Sequence, residues 1–270
     1  MTAGTGNEGY FAIGTDGNLT LNNLTIQCQG GGASNPLIIV QGGTLRLEKG
    51  ATLRNRKSPG ALGAGVRVSE GGMLLMNDGA LIEKCTTFDN SSEGWGGAVY
   101  VLGSDTKESS FTMNGGSIVE CMANRGGAVA VFSNSGLEAS FTMKGGSISA
   151  CSAGDATNNG NGGGVYIQAD YDTAKATFSM SGGTISGCTA DGEVGKGGGI
   201  HISGSYSYLN LSGTARITSC SANSGRGLYY VIPITISVIP ITISPNPDSN
   251  MDTLKVFFGG DETAIDHDQV

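Results

Sequence analysis

One phrase recurs along this chain, and its recurrence leaves few folds open. Gly96-Gly97-Ala98-Val99-Tyr100-Val101 leads through a spacer to Phe111-Thr112-Met113-Asn114-Gly115-Gly116-Ser117-Ile118-Val119-Glu120-Cys121. The same order returns from Gly126 to Cys151, from Gly163 to Cys188 and, more loosely, from Gly198 to Cys220. A unit this short cannot bury a core alone and must stack on its own copies. Val99 and Val101 alternate with other residues, as do Phe111 and Met113, and a period of two is that of a strand. Gly-Gly pairs mark the corners. No segment reads as an amphipathic helix of useful length. The reading is an all-β chain, a single-stranded parallel β-helix of the pectin-lyase-like kind, with each coil made of three short strands and three turns. The general preference of parallel crossovers makes it right-handed.

Weaker copies carry the array upstream. Leu19, Leu21 and Ile26 match the Phe, Met and Ile positions, as do Leu45, Leu47 and Leu53, then Leu74, Met76 and Ile82. Ile38 to Val40 and Val66 to Val68 fill the Val strand. This gives about seven coils ending near Cys220 and a partial eighth from Gly227, a stack roughly 34 Å long at ~4.8 Å per coil. Residues 1–230 are therefore assigned to the β-helix, with the clearest repeats at 60–225, and residues 231–270 to capping strands and a tail. In that last part Val231-Ile232-Pro233-Ile234-Thr235-Ile236-Ser237 is followed by an identical seven. Strands carrying Pro belong at an edge, so this segment is expected to cap the last coil. Residues 251–258 read as one more strand and 259–270 as a loose acidic end.

Composition narrows the function. Glycine supplies 47 of 270 residues and charged residues only 14%, while 38% are hydrophobic, which suits a thin β core and excludes disorder. A net charge of −8, with no run of Lys or Arg, speaks against nucleic acid as a partner. No cofactor motif and no calcium-binding Gly-Asp repeat occurs. The start, Met1 to Gly6, lacks the basic head and apolar stretch of a signal peptide. The most apolar stretch, 228–243, is too short and too polar to span a membrane.

Five cysteines, Cys85, Cys121, Cys151, Cys188 and Cys220, each follow the inward Ile by three positions, so they are expected to stack as a core ladder. Cys28 follows Ile26 by two and is out of step. Zinc needs tetrahedral ligands, which a straight column with no histidine does not offer. Disulfides between coils fit the Cα spacing, though parallel Cβ vectors sit slightly too far apart. Small buried thiols are the reading retained.

A candidate binding face lies on the Val strand. Its outward residues run Arg67, Tyr100, Ala130, Tyr166, His201 and Tyr229 down successive coils. An exposed aromatic and basic stripe of this kind could stack sugar rings or meet a protein. Trp95, the only tryptophan, is expected to cover the core edge. Catalytic residues are not apparent. Glu83 and Glu120 are offset by one place, and Asp105, Asp155, Asp170, Asp172, Asp191 and Glu193 fall in loops. His201 and His267 lack the neighbours of a nucleophile triad. Contact with a repetitive surface such as ice would demand an outward Thr column, and none is read.

The phrases Gly96-Gly97-Ala98-Val99, Gly126-Gly127-Ala128-Val129 and Phe111-Thr112-Met113-Asn114 resemble the G-G-A-[IVL] and F-x-x-N repeats of bacterial polymorphic outer-membrane proteins and related adhesin-like surface proteins. The string from Met180 to Ala190 is similar to a repeat of large surface proteins of gut bacteria, which usually carry Asn where this chain has Cys188. The resemblance covers roughly residues 60 to 225. It implies a parallel β-helix, extracellular or cell-surface location and partners that are host or bacterial surface proteins or glycans. It also implies that the chain is part of a longer protein. The expected function is a non-enzymatic, adhesin-like or stalk module; the alternative is a carbohydrate-binding or polysaccharide-degrading β-helix.

Overall fold

The computed structural model describes residues 11–28, 35–89, 93–104, 107–134 and 136–230, with the backbone of three later strands. No helix occurs among the described residues. The chain winds as a parallel β-helix. Its first wall stacks eight strands in chain order: Phe11–Ile13, Ile38–Gln41, Val66–Ser69, Val99–Leu102, Val129–Ser133, Val165–Ala169, Ile200–Ser203 and Leu228–Tyr230. The second and third walls hold seven strands each, so seven coils are complete and Leu228–Tyr230 opens an eighth.

Inward residues meet their own kind at every rung. Leu74, Phe111, Phe141, Phe178 and Leu209 share one register, preceded by Leu19 and Leu45. The three phenylalanine rings are fully buried and stack face to face, centroids 4.6 Å apart and planes within 6°. That spacing is set by the ladder, since the hydrogen-bonded backbone fixes one residue per ~4.8 Å. Met76, Met113, Met143 and Met180 form the next inward column, and Ile82, Ile118, Ile148 and Ile185 line the third wall.

The coil has one more piece than the three-strand reading. Met122–Ala123, Ser152–Ala153, Thr189–Ala190 and Ser221–Ala222 pair in parallel as a narrow fourth wall just after the cysteines. A bend in the left-handed region separates it from the third wall, at Asn55, Lys84, Glu120, Ala150, Gly187 and Ser219, all with φ between 50° and 59°. Two-residue strands are too short to show alternation, and the bend residues share no side chain, so neither feature announces itself as a motif.

Of the repeated heptads at 231–244, expected to cap the last coil, residues 231–241 fall outside the described residues. Beyond them, Thr253–Phe258 pairs antiparallel with Thr242–Pro245 and with Asp261–Asp266. The segment read as a loose acidic end thus holds a strand, which runs beside Arg216–Thr218 and Leu228–Tyr230 at the end of the stack.

Candidate functional site

The outward column of the first wall is in register as the alternation requires: Arg67 pairs with Tyr100, Tyr100 with Ala130, Ala130 with Tyr166, Tyr166 with His201 and His201 with Tyr229. The expectation that it is open to solvent fails. Tyr100, Tyr166, His201 and Tyr229 are only 3%, 4%, 5% and 2% exposed. The face points away from the main core and is nevertheless buried.

The cover comes from the chain just ahead of each glycine corner. Leu62, Trp95, Arg125, Asn161, Lys196 and Ser224 form their own ladder of parallel bridges. Each is followed by a glycine with positive φ, from Gly63 to Gly225. That turn folds the ladder back onto the outer face: a Cβ on Gly197 (φ 67°) would stand 2.8 Å from the Cβ of His201. Only glycine permits both the dihedral and the approach. Trp95 then lies over the gap left by Ala130. Its ring meets Tyr100 at 6.2 Å, Phe132 at 5.0 Å and Tyr166 at 5.4 Å, all edge to face. Trp95, Leu62, Leu102 and Phe132 close a satellite core around Tyr100, Ala130 and Tyr166. The tryptophan expected to guard the main core guards this second one.

In the rest of the column ring follows ring, and the covering ladder lays cations against them. Tyr166 meets His201 at 5.2 Å and His201 meets Tyr229 at 4.9 Å. The Arg125 guanidinium sits 4.8 Å over the Trp95 ring, and the Lys196 ammonium 4.8 Å over Tyr229. Such contacts hold a cation against an aromatic face while leaving it part-solvated. Burial, with Lys196 and Arg125 nearby, depresses His201 to a pKa of about 3, so it is neutral near pH 7. Burial raises Tyr100 above the ordinary phenol range against the pull of Arg67. The Tyr166 hydroxyl donates to Gln168 Oε1 at 2.8 Å.

The five predicted ladder cysteines do stack, and all are buried free thiols. Cys85, Cys121, Cys151 and Cys220 each donate to the carbonyl two residues earlier at 3.4 Å, Cys188 at 3.6 Å. Burial holds the Cys121 thiol well above its usual pKa, and contact with Cys151 pushes Cys188 up to about 12. Contact with the Cys121 and Cys188 side chains, joined by the Cys121 amide that donates to its sulfur, lowers the Cys151 pKa. In the second coil the cysteine position is taken by buried Arg56, whose Nη1 donates to Cys28 Sγ at 3.0 Å. This accounts for the cysteine that fell out of step.

The acids stay apart. Glu83 pairs with Val119 in the ladder and faces Arg54, while Glu120 faces Lys84 at 3.6 Å. Among the described residues no three of His, Cys, Asp and Glu gather as a metal site. One loop pair does interact. The Asp155 carboxylate is held below its usual pKa by the Thr157 and Asn158 hydrogen bonds, and Asp191 is raised by burial and by Asp155. The second wall carries no Thr column that repeats on every coil. Its outward residues Ser110, Ser140 and Thr177, and beside them Thr112, Thr142 and Ser179, form two short mixed hydroxyl columns. Met73 and Leu75 end them on one side, Tyr208 and Asn210 on the other.

No protein-family model, curated protein or solved structure matches the chain. No helix among the described residues is long and apolar enough to cross a membrane.

Proposed function

We propose that the chain is a non-enzymatic binding module of a secreted or cell-surface protein, adhesin-like or stalk-like, whose partner is a surface protein or a glycan. The observation that carries this reading is the split between a constant stack and variable corners. Coils superpose rung by rung, and length varies most where the first wall turns into the second and where the fourth returns to the first, whereas the corner between the second and third walls differs by a single residue among coils. These loops present apolar tips: Leu137, Tyr171 and Val194 are 42%, 61% and 53% exposed. They are also anchored. Buried Asn124 accepts from the Asp89 and Gly94 amides, and Ser207 Oγ accepts from the Ala169 amide at 2.8 Å. Loops held on a rigid scaffold are the usual seat of recognition. Incubation with arrays of glycans and surface proteins, followed by product analysis, tests the reading: capture without turnover is expected, and released products would overturn it.

One observation favours the alternative, a polysaccharide-degrading β-helix. The loop carboxyls Asp155 and Asp191 are close enough to interact, Asp191 being raised by burial and by Asp155, and glycoside hydrolysis works with two neighbouring carboxyl groups. Under that alternative, Asp191→Asn abolishes product release while leaving binding.

A further inference from the structure

Three Asn-Gly pairs occur in the chain: Asn114-Gly115, Asn159-Gly160 and Asn161-Gly162. Such a pair is chemically labile, because glycine leaves its amide nitrogen unshielded and that nitrogen can attack the preceding side-chain amide. In a folded chain the outcome turns on whether the attacking nitrogen is already committed. The Gly160 amide is tied to the Asp191 carbonyl at 2.8 Å, and the Gly162 amide to the Lys196 carbonyl at 2.9 Å. Both bonds run between neighbouring coils. The Asn159 side chain is engaged as well, its Oδ1 accepting from the Val194 amide at 2.9 Å.

Asn114-Gly115 differs on each count. It lies at the corner between the second and third walls, with Asn114 exposed. The Met76 carbonyl is taken by the Asn114 amide at 2.8 Å, and the Gly115 amide reaches it only at 3.4 Å, beyond the roughly 3.2 Å at which such bonds ordinarily end. The glycine is also required here, since a Cβ on Gly115 would run into the Asp78 carboxylate. The residue that hastens the reaction is therefore one the fold demands. The threatened side chain carries a link between coils: Asn114 Nδ2 donates to Asn77 Oδ1 at 2.8 Å, and Asn77 Nδ2 donates to Glu48 Oε1 at 2.9 Å.

We propose that Asn114 is a site of spontaneous covalent modification, in which the Gly115 amide closes on the Asn114 side chain and water reopens the ring. The Gly115 nitrogen attacks Cγ of Asn114. An N–Cγ bond forms, the Cγ–Nδ2 bond breaks, and ammonia leaves with the amide proton. Water then adds to either carbonyl of the cyclic imide and cleaves its bond to nitrogen. Cleavage at Cγ leaves an aspartate. Cleavage at the main-chain carbonyl leaves an isoaspartate, whose chain runs through the former side chain. Either product removes the donor that Asn77 Oδ1 accepts from and adds a carboxylate near Asp78. One link between the third and fourth coils is lost and like charges are brought together. This reaction is independent of the binding reading above.

The test is to age the whole chain in mildly alkaline buffer, beside a sample held unfolded in urea, and to map both by peptide mass spectrometry. In the folded chain, conversion at Asn114 should run about tenfold faster than at Asn159 or Asn161, the worth of one retained backbone hydrogen bond. In urea the three rates should converge. Isoaspartate at position 114 should accept a methyl group from an isoaspartyl methyltransferase. Equal rates at the three pairs in the folded chain, a faster rate at Asn159 or Asn161, or no conversion at Asn114 while the urea sample reacts overturns the inference. Asn114→Asp, made directly, should melt about 2 °C or more below the wild type, and Asn114→Gln, which keeps the amide, should not. Equal melting of the wild type and Asn114→Asp would overturn the loosening of the coil link and leave the modification site standing.

Discussion

Two columns of this molecule are equally buried and built on opposite principles. Inside, the Phe111–Phe141–Phe178 stack repeats one side chain at one spacing, ring on ring. Outside the first wall, Tyr100, Ala130, Tyr166, His201 and Tyr229 change identity at almost every rung, and a second ladder carrying Trp95, Arg125 and Lys196 closes over them. The inner column has no freedom, because parallel pairing delivers each residue to the same place. The outer one is shaped by whatever the corner folds back upon it. Identity inside and variety outside show where a repeat protein can change without losing its coil.

The largest test of this contrast is Phe141→Ala. It removes the middle ring of three and leaves a cavity bounded by two stacked neighbours, for an expected loss of about 3–5 kcal/mol in denaturant unfolding. Gly126→Ala probes the corner. Its φ is 64°, and a Cβ there would run into the Val129 carbonyl, so about 1–3 kcal/mol should be lost, or more if the corner opens. Trp95→Ala should cost less than Phe141→Ala, about 2 kcal/mol, because the indole is only partly buried. A loss equal to that of Phe141→Ala would mean the satellite core is as integral as the main one.

Acid distinguishes the columns next. His201 is held neutral, with a folded pKa of about 3 against about 6.5 unfolded. Its protonation therefore favours the unfolded chain. The stability it permits is complete above pH 6.5 and declines as pH falls toward 3, by up to about 1.4 kcal/mol per unit. Melting of His201→Phe should lose that part of the slope, whereas Phe141→Leu should keep it. The smallest effect is chemical: a thiol reagent should label none of Cys85, Cys121, Cys151 or Cys188 in the folded chain and all of them on unfolding, since each is at most 1% exposed.

Much of this was legible in the sequence. The inward columns, the coil count and the cysteine stack follow from alternation and spacing, because a period-two pattern repeated in register leaves a side chain one place to go. The outward column was legible too, as a direction. Its burial was not, since nothing in Trp95, Arg125 or Lys196 marks them as a cover. Only the glycine after each signals the turn, and its consequence depends on what lies one coil away. The fourth wall escaped for a different reason: Lys84, Glu120 and Ala150 adopt one bend with three chemistries, so stacking and not residue type specifies it.

The in-register ladder has a consequence for how such a chain changes length. Because Phe111 meets Phe141 and Cys121 stacks toward Cys151 with the same intervening spacing, a whole coil can be copied or excised with every lateral contact restored at the seam. Gene duplication within the array is then structurally neutral where a single-residue insertion in a wall is ruinous. The molecule extends the way a word grows by repeating a syllable, and its corners are free to diverge afterwards.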